Sequence, residues 1–269
     1  LPLHIFSSPD TGLVRRAARN EKLERQTMIF HLTGDVKNHG FVEVPRETDL
    51  PGLVRHLTGK SPDSFKALVI DHPHGTFIPF NHKGLPSVPS PSFLFDELAV
   101  LDHHRCLVEK SLAAVSAPSL RACPGKAACT AGRSLLQTGL TLLTKGQGGA
   151  NTLQEIEAVA RQMTRESHCP EGCPPAELVL SGLQLFREEF AAHAQGYCPT
   201  LACKDLIRFE ILQGKCKGCR CCYLVCPTGA VIHRKGDKRF FVDDSLCIKC
   251  GSCAKTCPFG CIRPVSEAL

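Results

Sequence analysis

The hydrophobic positions divide the chain into stretches of different period. From Thr27 to Phe80 they alternate or run in short blocks. Met28-Ile-Phe-His-Leu-Thr33, Phe41-Val-Glu-Val44, Ala67-Leu-Val-Ile70 and Thr76-Phe-Ile-Pro-Phe80 have the period and the β-branched or aromatic content of strands. Between the second and third, Leu50-Pro51-Gly-Leu-Val-Arg-His-Leu57 has helical spacing, with proline in the first turn where its missing N–H is not needed. Two strands, a helix and further strands predict a small β-grasp-like unit. Residues 1–26 are polar and basic, with Arg15, Arg16, Arg19 and Arg25, and read as a short arm or helix. Residues 83–98, with Pro86, Pro89 and Pro91 among serines, read as a linker or covering loop.

Beyond residue 99 the period turns helical. One helix is predicted from Cys106 to Val115. A second runs from Cys129 to Thr144 and ends at Gly146-Gln-Gly-Gly149. A third opens at Thr152, with Glu155 three residues on as a capping box. A fourth spans Pro175 to Ala194. Four helices with short connections predict a bundle over residues 99–196. From 197 onward the apolar period fades and a repeat takes over.

Cys216-Lys-Gly-Cys219-Arg-Cys-Cys222-Tyr-Leu-Val-Cys226-Pro227 recurs 31 residues later as Cys247-Ile-Lys-Cys250-Gly-Ser-Cys253-Ala-Lys-Thr-Cys257-Pro258. Both halves read C-x2-C-x2-C-x3-C-P, the bacterial run that builds two 4Fe–4S clusters, in which the fourth Cys of each run ligates the other cluster. Cluster one is therefore expected on Cys216, Cys219, Cys222 and Cys257. Cluster two is expected on Cys247, Cys250, Cys253 and Cys226. Zinc sites show separated C-x2-C pairs instead, and disulfides need an oxidising compartment. Cys221 and Cys261 fall outside the spacing and read as packed thiols. A cluster pair moves single electrons, which selects the function class.

The chain has 269 residues, enough for two or three small domains, and 17 Cys, most of them after Cys106. No signal peptide opens it and no apolar run is long enough to span a bilayer. A reducing, cytoplasmic setting with cysteines as metal ligands is the expectation. The chain opens on Leu1 rather than Met, so residues ahead of it are left open. The net charge is +6, and all of it lies in residues 204–269, with 12 Lys+Arg against 6 Asp+Glu; residues 1–203 are balanced at 20 each. Anionic thiolate-ligated clusters would offset this excess. With no Trp and only two Tyr there is no aromatic platform for bases, so nucleic acid is not an expected partner.

Several stretches together resemble the C-terminal two thirds of the NADH-binding flavoprotein subunit of respiratory complex I. They are Leu32-Thr-Gly-Asp-Val-Lys-Asn-His-Gly-Phe-Val-Glu-Val-Pro45, Cys106-Leu-Val, Cys129-x-x-Gly-Arg, Leu185-Phe-Arg-Glu-Glu-Phe190 and Cys198-Pro-Thr-Leu-Ala-Cys203-Lys. The layout is similar to the diaphorase subunits of electron-bifurcating hydrogenases, which also end in a two-cluster ferredoxin domain. The resemblance implies an α+β chain: an arm (1–26), a β-grasp, SLBB-like domain with a Pro-rich loop (27–98), a four-helix bundle (99–196), and a linker with a bacterial-type two-cluster ferredoxin domain (197–269).

The family's flavin and NADH domain lies upstream of the β-grasp unit. Only 26 residues precede that unit here, and they hold no Gly-rich phosphate loop. Neither FMN nor NADH is therefore expected on this chain. The family also holds a cluster in the bundle through C-x2-C-x2-C and one distant Cys. Here Cys123 and Cys129 keep the outer positions, Lys126 replaces the middle ligand, Cys169 matches the distant one, and Cys173 offers a fourth thiolate. A third cluster and an empty relic are both open. His193-x4-Cys198-x4-Cys203 gathers soft donors at the joint to the ferredoxin module, a mix that suits zinc or stands as free thiols beside a His. The bifurcating relatives carry zinc there, and Cys106 is the expected fourth ligand.

The function implied is an iron–sulfur electron-transfer subunit of a multisubunit cytoplasmic oxidoreductase, working with flavoprotein or metal-dependent catalytic partners. Two alternatives stand beside it. One is the C-terminal part of a complete NADH:acceptor flavoprotein, bifurcating or not. The other is a largely structural subunit with vestigial clusters. No nucleophile–base pair or paired carboxylates stand out.

Overall fold

The structure is a computed structural model. It describes residues 4–6, 27–45, 48, 50–59, 61–70, 75–80, 96–117, 127–166, 174–233 and 239–267.

The N-terminal unit is a six-stranded sheet formed by β1 (His4–Phe6), β2 (Thr27–Gly34), β3 (Gly40–Pro45), β4 (Phe65–Ile70), β5 (Thr76–Pro79) and β6 (Glu97–Asp102). The order across it is β1-β3-β2-β6-β4-β5. All neighbours are antiparallel except β2 and β6, which run parallel, with Leu32 opposite Leu98. Helix α1 (Leu50–Thr58) connects the β2–β3 hairpin to β4.

Sequence reading places the residues of β6 at the end of the proline-rich loop and the start of the bundle. In the structure β6 is a central strand of the sheet. It reads as a continuous apolar run because both its faces are covered. Leu98 and Val100 face the core with α1, beside Phe30, Leu32, Leu53, Val54 and Leu68. Ala99 and Leu101 face the helical unit, beside Val69, Phe77 and Leu107. The period-two alternation of a strand thus shares one element between two cores. Gly34, at φ +91°, makes the crossing of β2 and β6 close: a Cβ there would lie 2.1 Å from the Val100 carbonyl oxygen. The arm expected over 1–26 contributes β1, whose His4–Phe6 pairs with Phe41–Glu43 of β3. Residues 7–26 and 81–95 lie outside the described residues.

The helical unit holds α2 (Leu107–Ser116), α3 (Ala127–Thr144), α4 (Ala150–Glu166), α5 (Pro174–Leu185) and α6 (Arg187–Ala194). Two expectations need correction. Helix α4 begins at Ala150, so Thr152 lies inside it and no capping box forms; the Thr152 hydroxyl instead accepts from the Gly149 N–H at 3.2 Å. The helix predicted from Pro175 to Ala194 is two helices, broken at Phe186, whose φ of −131° and ψ of 37° leave the helical region. The Phe186 ring meets Phe77 of the sheet edge-on, 6.2 Å between centroids. Cys129-x-x-Gly-Arg has a packing rationale in α3. A Cβ on Gly132 would lie 2.7 Å from Met163 of α4. Arg133 donates to the Val115 and Ala117 carbonyls at 2.7 Å each, capping the C-terminal end of α2 with a cation.

The C-terminal module pairs β7 (Arg208–Ile211) with β10 (Ile262–Val265), and β8 (Val231–His233) with β9 (Phe240–Val242), all antiparallel. Two one-turn helices, α7 (Cys221–Val225) and α8 (Ser252–Thr256), follow the two cysteine loops. Its small core contains Ile211, Val231, Phe240 and Ile262 packed with Cys222, Cys253 and Cys261. The module is tied back to the helices through Ser266, which accepts from the Cys198 N–H at 2.8 Å and donates to the Leu206 carbonyl at 2.6 Å.

Candidate metal centres

The two cysteine loops have matching backbones. In the first, Gly218 and Arg220 take the left-handed conformation, at φ 68° and 67°. In the second, Lys249 and Gly251 do so at the same two places of the 31-residue repeat, at φ 58° and 74°. A left-handed conformation costs a non-glycine residue about 1–2 kcal/mol, so Arg220 and Lys249, one in each loop beside a left-handed glycine, mark a built feature. Such turns point successive N–H groups inward and form an anion-binding hollow. Each run ends where its short helix stops. Cys226 and Cys257 are the C-caps of α7 and α8, in extended backbone, and proline follows both.

Cys226, Cys247, Cys250 and Cys253 line one cavity, closed by Phe209, Pro227, Val231, Val242 and Ile248. This grouping brings Cys226 of the first run to the three cysteines expected to share cluster two with it. On the other side, Cys216 and Cys219 act on Cys222 electrostatically, and Cys257 acts on Cys221 beside them. Cys257 also meets Cys261, 3.3 Å between sulfurs, and Cys261 hydrogen-bonds Cys216 of the first loop. Burial raises the Cys222 pKa to about 11, with the charges of Cys216 and Cys219 adding to it. For Cys226 burial opposes ionisation, but backbone hydrogen bonds from Val231, Thr228 and Ala230 prevail and lower its pKa. Cys257 is lowered in the same way by Cys261, Phe259 and Gly260. No disulfide joins these cysteines. Convergent thiols with inward N–H groups fit a pair of anionic thiolate-ligated clusters.

Spacing alone reads Cys221 and Cys261 as packed thiols. Cys261 is buried, but its sulfur lies 3.3 Å from that of Cys257. The spacing carries no signal for this contact.

The second centre lies between the helical unit and the ferredoxin module. Cys106, His193, Cys198 and Cys203 are all buried, and their ligand atoms all lie within 4.8 Å of one another. His193 Nε2 is 3.2 Å from Cys106 Sγ and 3.4 Å from Cys203 Sγ, and those two sulfurs are 3.6 Å apart. A tetrahedron with metal–sulfur bonds of about 2.3 Å and metal–nitrogen bonds of about 2.0–2.1 Å has edges of about 3.5–3.8 Å.

Local structure aims each donor. Cys106 is the N-cap of α2, and its sulfur accepts from the Glu109 N–H at 3.4 Å, at the positive end of the helix dipole. Leu201, left-handed at φ 58°, turns the Cys198–Cys203 loop back on itself. His193 sits one turn after Glu189 on α6, and its Nδ1 is 2.8 Å from the Glu189 carbonyl. A proton on Nδ1 donated to that oxygen leaves the Nε2 lone pair facing the sulfurs, the outer-shell arrangement usual for metal-binding histidine. The Glu189 carboxylate accepts from the Leu107 N–H at 2.9 Å and pairs with Lys66 of β4. Lys66 in turn donates to the Arg105 carbonyl at 2.8 Å. Glu189 therefore holds both the His193 and the Cys106 sides of the site. Its i, i+4 spacing from His193 was the sequence signal that could have revealed it.

Burial works to lower the His193 pKa, yet hydrogen bonds to Cys106 and Cys198 push it up to about 10. Hydrogen bonds to Cys106 and Cys203 hold Cys198 far below the usual thiol range, whereas Cys106 and Cys198 push Cys203 far above it. The adjoining buried thiols and imidazole form a pocket where few protons must serve many lone pairs. One nitrogen and three sulfurs facing a common point suit a four-coordinate cation that takes the place of those protons.

Of the four cysteines expected in the bundle, Cys129 is buried in the first turn of α3. Cys123, Cys169 and Cys173 lie outside the described residues. Among the described residues no helix is long and apolar enough to cross a membrane.

Residues 115–193 match the NADH-ubiquinone oxidoreductase-F iron-sulfur binding region, and residues 240–263 match the 4Fe-4S binding domain. The NADP-reducing hydrogenase subunit HndC of Solidesulfovibrio fructosivorans is 27% identical over 219 residues, which is 78% of this chain and 44% of that subunit. The ferredoxin-type protein NapH of Haemophilus influenzae is 37% identical over 62 residues, 21% of this chain and 22% of that protein. The fold is similar to that of an NAD+-reducing [NiFe]-hydrogenase solved in its H2-reduced state, at TM-score 0.53 and 20% identity, over 62% of this chain and 29% of that one. The chain spans less than half the length of HndC. It resembles the C-terminal part of the NADH-binding flavoprotein subunit of complex I and of hydrogenase diaphorase subunits, and it carries that family's iron–sulfur binding region followed by a 4Fe–4S binding domain.

Proposed function

We propose that this chain is an iron–sulfur electron-transfer subunit of a multisubunit cytoplasmic oxidoreductase. The observation that carries the reading is the crossed grouping of the doubled motif. Cys226 from the first run shares a cavity with Cys247, Cys250 and Cys253 of the second. Cys257 meets Cys261, which hydrogen-bonds Cys216 of the first run. When bound, two 4Fe–4S clusters supply one-electron chemistry. The chain's own residues ligate the clusters with eight thiolates, wrap them in Ile211, Val231, Phe240 and Ile262, and direct backbone N–H groups at Cys226 and Cys257.

Partners are flavoprotein or metal-dependent catalytic subunits. Six of the ten large hydrophobic side chains exposed among the described residues, Tyr223, Leu224, Val225, Leu246, Ile248 and Phe259, belong to the ferredoxin module. That concentration supports a face made to be covered by another protein. Residues 27–98 are read as an SLBB-like β-grasp domain extended to Asp102 by β6. The strand order β3-β2-β6-β4-β5 with its central parallel pair supports this. The Cys106, His193, Cys198 and Cys203 site is assigned to structural zinc. It fastens the start of α2, the end of α6 and the linker to the ferredoxin module. A third cluster on Cys123, Cys129, Cys169 and Cys173 is supported by the family match over residues 115–193.

The full chain, reconstituted anaerobically, should hold about eight Fe and eight sulfide in the C-terminal module. Cys219→Ser should damage cluster one and leave the ligands of cluster two intact. An iron-free chain with zinc bound at these cysteines would refute the assignment. The shared length with HndC favours one second reading, the C-terminal part of a longer NADH-dependent flavoprotein. Equilibrium dialysis of FMN and NADH against the holo-protein decides between them, because micromolar binding of either favours the second.

A further inference from the structure

The 31-residue repeat supplies an internal control for the surroundings of each cluster. Cys226 and Cys257 occupy equivalent places, and so do Ala230 and Cys261. The backbone is the same in both halves: Gly229 and Gly260 are left-handed at φ 68° and 54°, and Val231 and Ile262 open buried strands. Backbone hydrogen bonds reach Cys226 from Thr228, Ala230 and Val231, and reach Cys257 from Phe259, Gly260 and Cys261. The side chains then differ. Ala230 offers Cys226 a methyl group, and the sulfur of Cys226 is hydrogen-bonded instead by the Thr228 hydroxyl at 3.8 Å. Cys261 offers Cys257 a second sulfur at 3.3 Å and also hydrogen-bonds Cys216. Both contacts are to ligands expected on cluster one. Cys261 itself is buried at 3% exposure, so water does not compete for its thiol.

We infer that Cys261 is a positioning residue that donates its S–H to the ligand sulfur of Cys257 and so raises the reduction potential of cluster one. The inference rests on the cluster assignment proposed above. Cluster one has its four ligands in Cys216, Cys219, Cys222 and Cys257. Cys261 is a fifth sulfur, and its thiol proton remains to be shared. Reduction adds negative charge to an anionic cluster, so a donor pointed at a ligand sulfur stabilises the reduced form more than the oxidised one. Hydrogen bonds to the sulfurs and limited solvent access are two of the main determinants of cluster potential. The thiol is a weak donor, but it acts at contact distance in a dry setting.

The test is redox titration of the full reconstituted chain, followed by electron paramagnetic resonance. The signal lost in Cys219→Ser identifies cluster one. Cys261→Ala installs the side chain that the other half of the repeat already accommodates. It should keep the iron content, shift the potential of cluster one downward and leave cluster two in place. Cys261→Ser, which retains a donor, should restore part of the shift. Unmoved potentials with full iron overturn the inference while leaving the proposed function standing. Loss of about four Fe in Cys261→Ala also overturns it, because Cys261 would then be a ligand. Absence of both clusters from the unaltered chain would sink the proposed function, and this inference with it.

Discussion

His193 Nε2 lies 3.2 Å from Cys106 Sγ, although 87 residues separate them in the chain. The contact closes a four-donor site whose other members follow His193 within ten residues. Removing one donor should release the cation and expose three unmatched buried groups. Cys203→Ala and His193→Ala are each expected to lower zinc from about one per chain toward zero and to cost about 3–5 kcal/mol of stability. Elemental analysis with a thermal melt checks this. Full zinc retention in both variants would show that these donors do not form the site.

The bundle cluster makes a separate prediction. If Cys129 ligates iron, Cys129→Ala should remove a third iron–sulfur signal and leave the two ferredoxin signals unchanged. Iron in the unaltered chain should exceed the roughly eight atoms the C-terminal module can hold. Two clusters only, by iron count and spectroscopy, would make the bundle site a relic. Lys126 is the reason such a cluster should be oxygen-sensitive, since a protonated ammonium has no lone pair to offer where the family has a thiolate.

Asp35 gives a pH-dependent expectation. Burial works to raise its pKa, but hydrogen bonds from the Arg105 guanidinium and the Asp102 N–H, with the Arg105 charge, hold it below the usual carboxylate value. A depressed folded pKa stabilises the fold above the unfolded value of 3.8, and that stability is lost as pH falls through the folded value. Asp35→Asn should therefore cost about 1–2 kcal/mol at neutral pH, limited by screening at the half-exposed Arg105. The gap from the unaltered chain should narrow below about pH 4. Paired melts across that range measure it, and a gap independent of pH would remove the charge from the explanation.

Gly34 tests how tightly the parallel pair at the sheet centre is built. Gly34→Ala would drive a Cβ to 2.1 Å from the Val100 oxygen at a left-handed φ. A loss of at least about 2 kcal/mol is expected, from strain and displaced strand pairing. A fully stable Gly34→Ala chain would mean that β6 shifts freely against β2.

Local sequence determined what depends on neighbours along the chain. The doubled C-x2-C-x2-C-x3-C-P run carries its own proposed ligand assignment, because three thiolates within seven residues can reach one cluster. Strands β2 and β3 and helices α1 to α3 were legible because each buries one face with its own period, whereas β4, buried on both faces, was legible as a short apolar run. Tertiary structure decided the rest. Strand β6 is apolar on both faces, so its period gives no direction, and only the two cores that share it make it a strand. The break at Phe186 depends on contacts from a sheet more than a hundred residues away. Cys106 could be named as the fourth donor only through resemblance, because nothing in its own neighbourhood marks it. What brings it to His193 is the Glu189 carboxylate holding the start of α2, a bond whose two ends are 82 residues apart. The contact between Cys257 and Cys261 spans four residues of sequence, yet spacing alone reads Cys261 as packing. Its meaning comes from the pseudo-symmetric fold, which sets Cys261 where the other half has Ala230 and brings its sulfur against that of Cys257.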